Sequence, residues 1–118
     1  MITDEEWMQQ AFQLAKKSEG QGEVPVGAII VYQNEIIGKG WNQPILLHDP
    51  TAHAEIIALR EAGRKMHNYR LLGSTMYVTL EPCAMCAGAI VQARISRLVY
   101  AVEAVSYTHL TLPTNREV

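Results

Sequence analysis

Two short strings carry the residues that could do chemistry: His53-Ala54-Glu55 and, further along the chain, Pro82-Cys83-Ala84-Met85-Cys86. One imidazole and two thiolates form a three-ligand zinc set, which leaves the fourth tetrahedral position open to water. A glutamate two residues from the imidazole is then placed to move protons on that water rather than to bind the metal. The chain has 2 cysteines, and both lie in this C-x-x-C. A structural disulfide is disfavoured in a reducing compartment, and a thioredoxin-like redox pair leaves His53-Ala54-Glu55 unexplained. One zinc ion held by His53, Cys83 and Cys86, with Glu55 as the proton-moving group, uses all four. His48, His67 and His109 have no such partners and read as surface or loop histidines.

The elements that must position these groups follow from local pattern. Thr3 with Glu6 makes a capping box, and Trp7, Ala11, Leu14 and Ala15 follow at helical spacing, so a first helix is expected to run to about Gly20–Gly22. Trp7, Met8 and Phe12 read as core. Ala28 to Tyr32 is a β-branched run, Gln33-Asn34 a turn, and Glu35 to Trp41 a returning strand, together an antiparallel hairpin. Asp49-Pro50 has the form of an N-cap with proline at the first helical position, which predicts a helix carrying His53 and Glu55 to about Gly63. Thr75 to Leu80 is a third strand. A helix starting at Pro82 and a fourth strand over Arg97 to Val102 complete a right-handed parallel crossover.

Helical spacing constrains the site. Cys83 and Cys86, three apart in a first turn, project from one side. His53 and Glu55 stand ~200° apart around a helix and share no lateral face. Both can serve one metal only at the helix's N-terminal tip, so two helix N-termini are expected to meet there and favour anionic groups.

With 118 residues, 48% hydrophobic and 19% charged, the chain has ordinary globular composition and the size of one domain. No apolar run approaches the ~20 residues of a membrane helix. The acidic start, Asp4-Glu5-Glu6, is the reverse of a signal peptide's, and the expected location is cytoplasmic. A net charge of −2 argues against indiscriminate nucleic-acid binding, but leaves room for a basic face from Arg60, Arg64, Lys65, His67 and Arg70, with Arg94 and Arg97 further on.

H-x-E followed by P-C-x-x-C is the signature of zinc nucleobase deaminases. Beyond it, EVPVGAIIV (23–31), GWN (40–42), HDPTAHAEIIALR (48–60), NYRL (68–71), YVTLEPCAMCAGAI (77–90) and ARISRLVY (93–100) resemble the bacterial tRNA-specific adenosine deaminases of the cytidine-deaminase-like family. Guanine and riboflavin-pathway deaminases share HAE and EPC; NYRL and EVPVGA lean towards the tRNA enzymes. The resemblance implies an α/β, three-layer fold: a mixed sheet with helices on both faces, its C-terminal strand and helices missing from this chain. It implies hydrolytic conversion of adenosine to inosine at the wobble position of a tRNA anticodon loop, by a cytoplasmic homodimer. His53, Cys83 and Cys86 match the zinc ligands and Glu55 the proton shuttle. Asn42 matches a residue that hydrogen-bonds the flipped base, and Val24 and Leu80 match apolar residues of the base pocket. The backbone N–H groups of Ala54 and Cys83 match donors to the reacting oxygen.

The pattern stops near the end. Ala101 stands where the family has glycine, and residues 106–114 read like a translated sequencing adapter. The expected organisation is a zinc-dependent deaminase domain over 1–104, incomplete at its C-terminus, and a non-family tail over 105–118. Two further readings stand beside the tRNA one: a free-base or nucleoside deaminase acting on guanine or cytosine, and a zinc-binding fragment without activity.

Overall fold

The chain builds a mixed sheet with helices on both faces, as seen in a computed structural model that describes residues 2–102. The tail assigned to 105–118 lies outside those residues. Helix α1 (Asp4–Gly20) leads into the hairpin β1 (Gly27–Tyr32) and β2 (Glu35–Trp41), then α2 (Ala54–Met66), β3 (Thr75–Leu80), α3 (Ala84–Gln92) and β4 (Arg97–Val102). Strand order is β2-β1-β3-β4. The first two pairings are antiparallel and β3–β4 is parallel.

Local chemistry explains the elements. The Thr3 hydroxyl accepts the Glu6 N–H while the Glu6 carboxylate accepts the Thr3 N–H, which closes the capping box. Gln33 and Asn34 both have positive φ, the geometry a two-residue hairpin loop needs to match strand twist. Alternation along β1 divides the core. Ile29 and Val31 face α1 with Trp7, Met8, Tyr77 and Val99. Ala28 and Ile30 face the other way with Ala54, Ala58, Val78 and Ile90.

Glycines set how closely the helices seat. A Cβ built on Gly38 would lie 2.3 Å from the Ala58 carbonyl oxygen, and one on Gly40 2.2 Å from that of Ala54. These two β2 positions therefore let the backbone of α2 lie directly on the sheet. At the opposite edge, Asp4 in the first turn of α1 receives the Tyr77 hydroxyl at 2.6 Å and the Arg97 guanidinium. Arg97 thus ties α1 to β4 rather than contributing to a solvated basic face.

The start of α2 differs from the sequence expectation. Its N-cap is His53, not Asp49. The Asp49 carboxylate is taken up by Thr51, whose N–H and hydroxyl both donate to Oδ1, which makes a local Asx turn. At the other end α2 passes Gly63 and stops at His67, which adopts the left-handed conformation.

Candidate active site

Two helices end where the chemistry was expected. His53 is the N-cap of α2 and Cys83 the N-cap of α3, both with extended backbone. Glu55 follows in the first turn of α2 and Cys86 in the first turn of α3. Neither cap side chain bonds its own helix, so imidazole and thiol are left to point at each other. The His53 Nδ1 lies 3.5 Å from the Cys83 Sγ and 3.4 Å from the Cys86 Sγ. The three donor atoms lie within 4.8 Å of one another.

These distances fit zinc. Tetrahedral coordination with Zn–N of about 2.0–2.1 Å and Zn–S of about 2.3 Å puts nitrogen and sulfur about 3.5 Å apart. The electrostatics fit as well. Burial, then the nearby Glu55 carboxylate and Cys83, push the Cys86 thiol far above its ordinary range. Such a thiol stays protonated until a cation compensates it. Burial is also the largest influence on Glu55 and raises its carboxyl, partly offset by its own backbone N–H and by Cys86. Glu55 is 4% exposed. A buried carboxyl whose protonated form is favoured in this way is suited to accepting a proton and handing it on.

The remaining sequence candidates fall around this centre. Asn42, just past β2, accepts the Ala54 N–H on its Oδ1 at 2.8 Å. In this structure the Ala54 N–H, expected to face the reacting oxygen, is bonded to Asn42. Because Oδ1 is used in this way, the Asn42 amide group has its N–H₂ left to donate. Leu80, at the end of β3, is half-buried against the core that contains Ala54. Val24 is 64% exposed in the connection between α1 and β1. An open groove of about 1060 Å³ lies elsewhere, between the C-terminal halves of α2 and α3, lined by Leu59, Gly63, Tyr69, Leu71 and Ala93 among others. It contains none of the four central residues.

Comparison with known proteins bears on this geometry. The cytidine and deoxycytidylate deaminase zinc-binding region matches residues 1–102. The chain belongs to this family. It is 60% identical over 97 residues to the tRNA-specific adenosine deaminase of Buchnera aphidicola subsp. Schizaphis graminum, covering 82% of this chain and 64% of that protein. It is equally identical over 98 residues to the Haemophilus influenzae tRNA-specific adenosine deaminase, covering 82% and 57%. The chain thus spans about three-fifths of the length of these relatives. A structure from a study of A-to-I editing by tRNA deaminases at the wobble position superposes with a TM-score of 0.80 at 43% identity, over 82% of this chain and 70% of the other. Bacillus subtilis guanine deaminase gives 0.84 at 39% identity, over 86% and 66%. The cytidine-deaminase-like fold is therefore shared by tRNA and free-base enzymes.

Proposed function

We propose that this family member is a zinc-dependent hydrolase that deaminates adenosine to inosine at the wobble position of a tRNA anticodon loop. The observation that carries the chemistry is a buried carboxyl, Glu55, beside a His53–Cys83–Cys86 donor set at two helix N-termini. The substrate follows from 60% identity to tRNA-specific adenosine deaminases. One zinc ion per chain would be held by His53 Nδ1 and the two sulfurs. When bound, zinc supplies the Lewis acidity that makes water a nucleophile near neutral pH.

The chain's own residues do the rest. The Glu55 carboxylate takes a proton from water and returns it to the purine ring nitrogen as the ring carbon is attacked. It then takes the remaining proton from the hydroxyl newly attached to the ring carbon and delivers it to the amino group, whose bond to that carbon breaks as the carbonyl forms, so adenosine and water give inosine and ammonia. Asn42 donates its amide N–H to an acceptor on the base edge, and Val24 and Leu80 give the base apolar walls. The Ala54 N–H, committed to Asn42, holds that amide in register with Glu55. An unpaired loop base suits such a site, because extracting it costs little. Residues 1–104 form the catalytic unit, and the protein acts as a homodimer. Among the described residues no helix is long and apolar enough to cross a membrane.

The test is a substrate panel: the zinc-loaded chain with an anticodon stem-loop RNA, free guanine, cytosine and cytidine, read by ammonia release and inosine content. Inosine from the stem-loop alone is the expected result. Turnover of guanine or cytosine in its place would assign the free-base chemistry, and bound zinc with no turnover would identify an inactive fragment.

A further inference from the structure

We infer that Glu23, through its buried carboxylate, is a positioning residue that clamps the connection between β2 and α2 (residues 42–53) against the substrate side of the site. The inference rests on the deaminase reading above. Glu23 is 7% exposed, and among the described residues no ion pair to it is seen. A carboxylate so placed requires hydrogen-bond donors to offset its lost hydration. Among the described residues it has two, both from backbone: the Ile45 N–H donates to Oε1 at 3.2 Å and the Leu46 N–H to Oε2 at 2.9 Å.

The backbone accounting of the connection explains why those two. Residues 43–49 coil in one tight turn in which the N–H groups of Leu47, His48 and Asp49 donate to the carbonyls of Gln43, Ile45 and Pro44. The Gln43 N–H donates to the Ala52 carbonyl, and Pro44 has no N–H. Ile45 and Leu46 are thus the two donors the turn cannot satisfy itself, like the first N–H groups of a helix. Glu23 caps them from another part of the chain. Its own end is fixed too: the Glu23 N–H donates to the Ser18 carbonyl of α1, and the Ser18 hydroxyl to the Val26 carbonyl.

Both ends of the clamped connection enter the site. Asn42 opens it and bonds the Ala54 N–H, and His53 closes it. Between them Ile45 and Leu46 hold apolar side chains in solvent, 69% and 54% exposed, beside a clamp whose next residue is the exposed Val24. Loss of the carboxylate frees the turn and the exposed Ile45 and Leu46 it presents, while Asn42, held by the Val26 carbonyl and the Ala54 N–H, stays seated with His53 and Glu55. The effect is therefore expected on substrate capture more than on the chemical step.

The experiment uses the full zinc-loaded chain with Glu23→Ala and Glu23→Gln. Amide hydrogen exchange at Ile45 and Leu46 is read without substrate; zinc content, kcat and KM are read on the stem-loop RNA. Glu23→Ala is expected to lose protection at the two amides and to raise KM about tenfold, with kcat changing less and zinc retained. Glu23→Gln keeps one acceptor oxygen but turns an N–H₂ towards a donor, so it should fall between wild type and Ala and also covers the case in which Glu23→Ala does not fold. A merely structural role would lower the folded fraction and kcat and leave KM unmoved. Protected amides in the variants, or an unchanged KM, would overturn the inference. A wild type that converts no adenosine overturns instead the reading beneath it, and the exchange data tell the two failures apart.

Discussion

Replacing Gly40 with alanine should disturb the site through the backbone alone. The added Cβ would lie 2.2 Å from the Ala54 carbonyl oxygen and 2.8 Å from the Ala58 nitrogen. Both are backbone atoms, so no side chain can rotate out of the way. To reach 3.0 Å, the shortest separation a Cβ tolerates, the Ala54 carbonyl must retreat by about 0.8 Å. Overpacking of this kind costs about 1–3 kcal/mol, and in a domain of this size each kcal/mol lowers Tm by about 4–8 °C. Ala54 lies between His53 and Glu55, so the same shift moves both a zinc donor and the proton shuttle. A displacement near 1 Å at reacting groups can cost ~10²-fold in rate. Thermal unfolding of the zinc-loaded chain and turnover on a stem-loop RNA measure the two effects. A Gly40→Ala protein with wild-type Tm and rate would refute the claim that Gly40 sets the seat of α2.

At Gly88, in the middle of α3, a Cβ meets nothing within 4 Å, so Gly88→Ala should raise stability by about 0.5–1 kcal/mol in a denaturant titration. Cys86→Ala should leave on the order of a tenth or less of the wild-type zinc by metal analysis, with a lower melting temperature, because metal binding is linked to folding. Asp4→Asn should cost about 1–2 kcal/mol and flatten the acid limb of the stability–pH curve. The Arg97 hydrogen bond, and then that of Tyr77, hold the folded Asp4 carboxyl below its ordinary 3.8. Its contribution is therefore complete above that value and disappears as pH falls through the lower folded one. Equal acid limbs for wild type and Asp4→Asn would remove the clamp. The same network pushes the Tyr77 hydroxyl up to about 12, through burial first and Asp4 second, which an ultraviolet titration of tyrosinate would read.

Local signals made most of the frame legible. The Thr3–Glu6 box, the Gln33-Asn34 turn and the β-branched run of β1 act within a few residues, and each element they mark is present. Helical geometry applied to His53, Glu55, Cys83 and Cys86 led to two converging N-termini, and α2 and α3 do converge. What escaped was non-local. Asp49-Pro50 has the composition of a helix start, but Thr51 consumes the carboxylate, and the acceptor for the first free N–H of α2 is Asn42, twelve residues away. Glu23 capping Ile45 and Leu46, and Asp4 binding Tyr77 and Arg97, likewise join segments that no period or spacing connects. Gly38 and Gly40 belong to a strand pattern in sequence, and only the helix lying on them shows why a side chain is excluded there.

The central claim is that Glu55 moves protons for a zinc-assisted hydrolysis and does not bind the metal. Glu55→Gln preserves shape and removes the base, so it separates the two roles. Zinc per chain and inosine formed on an anticodon stem-loop, measured on the same preparations, are expected to show undiminished zinc and a rate reduced by at least ~10²–10⁴-fold. Near wild-type inosine formation, or loss of zinc from the variant, would contradict the account.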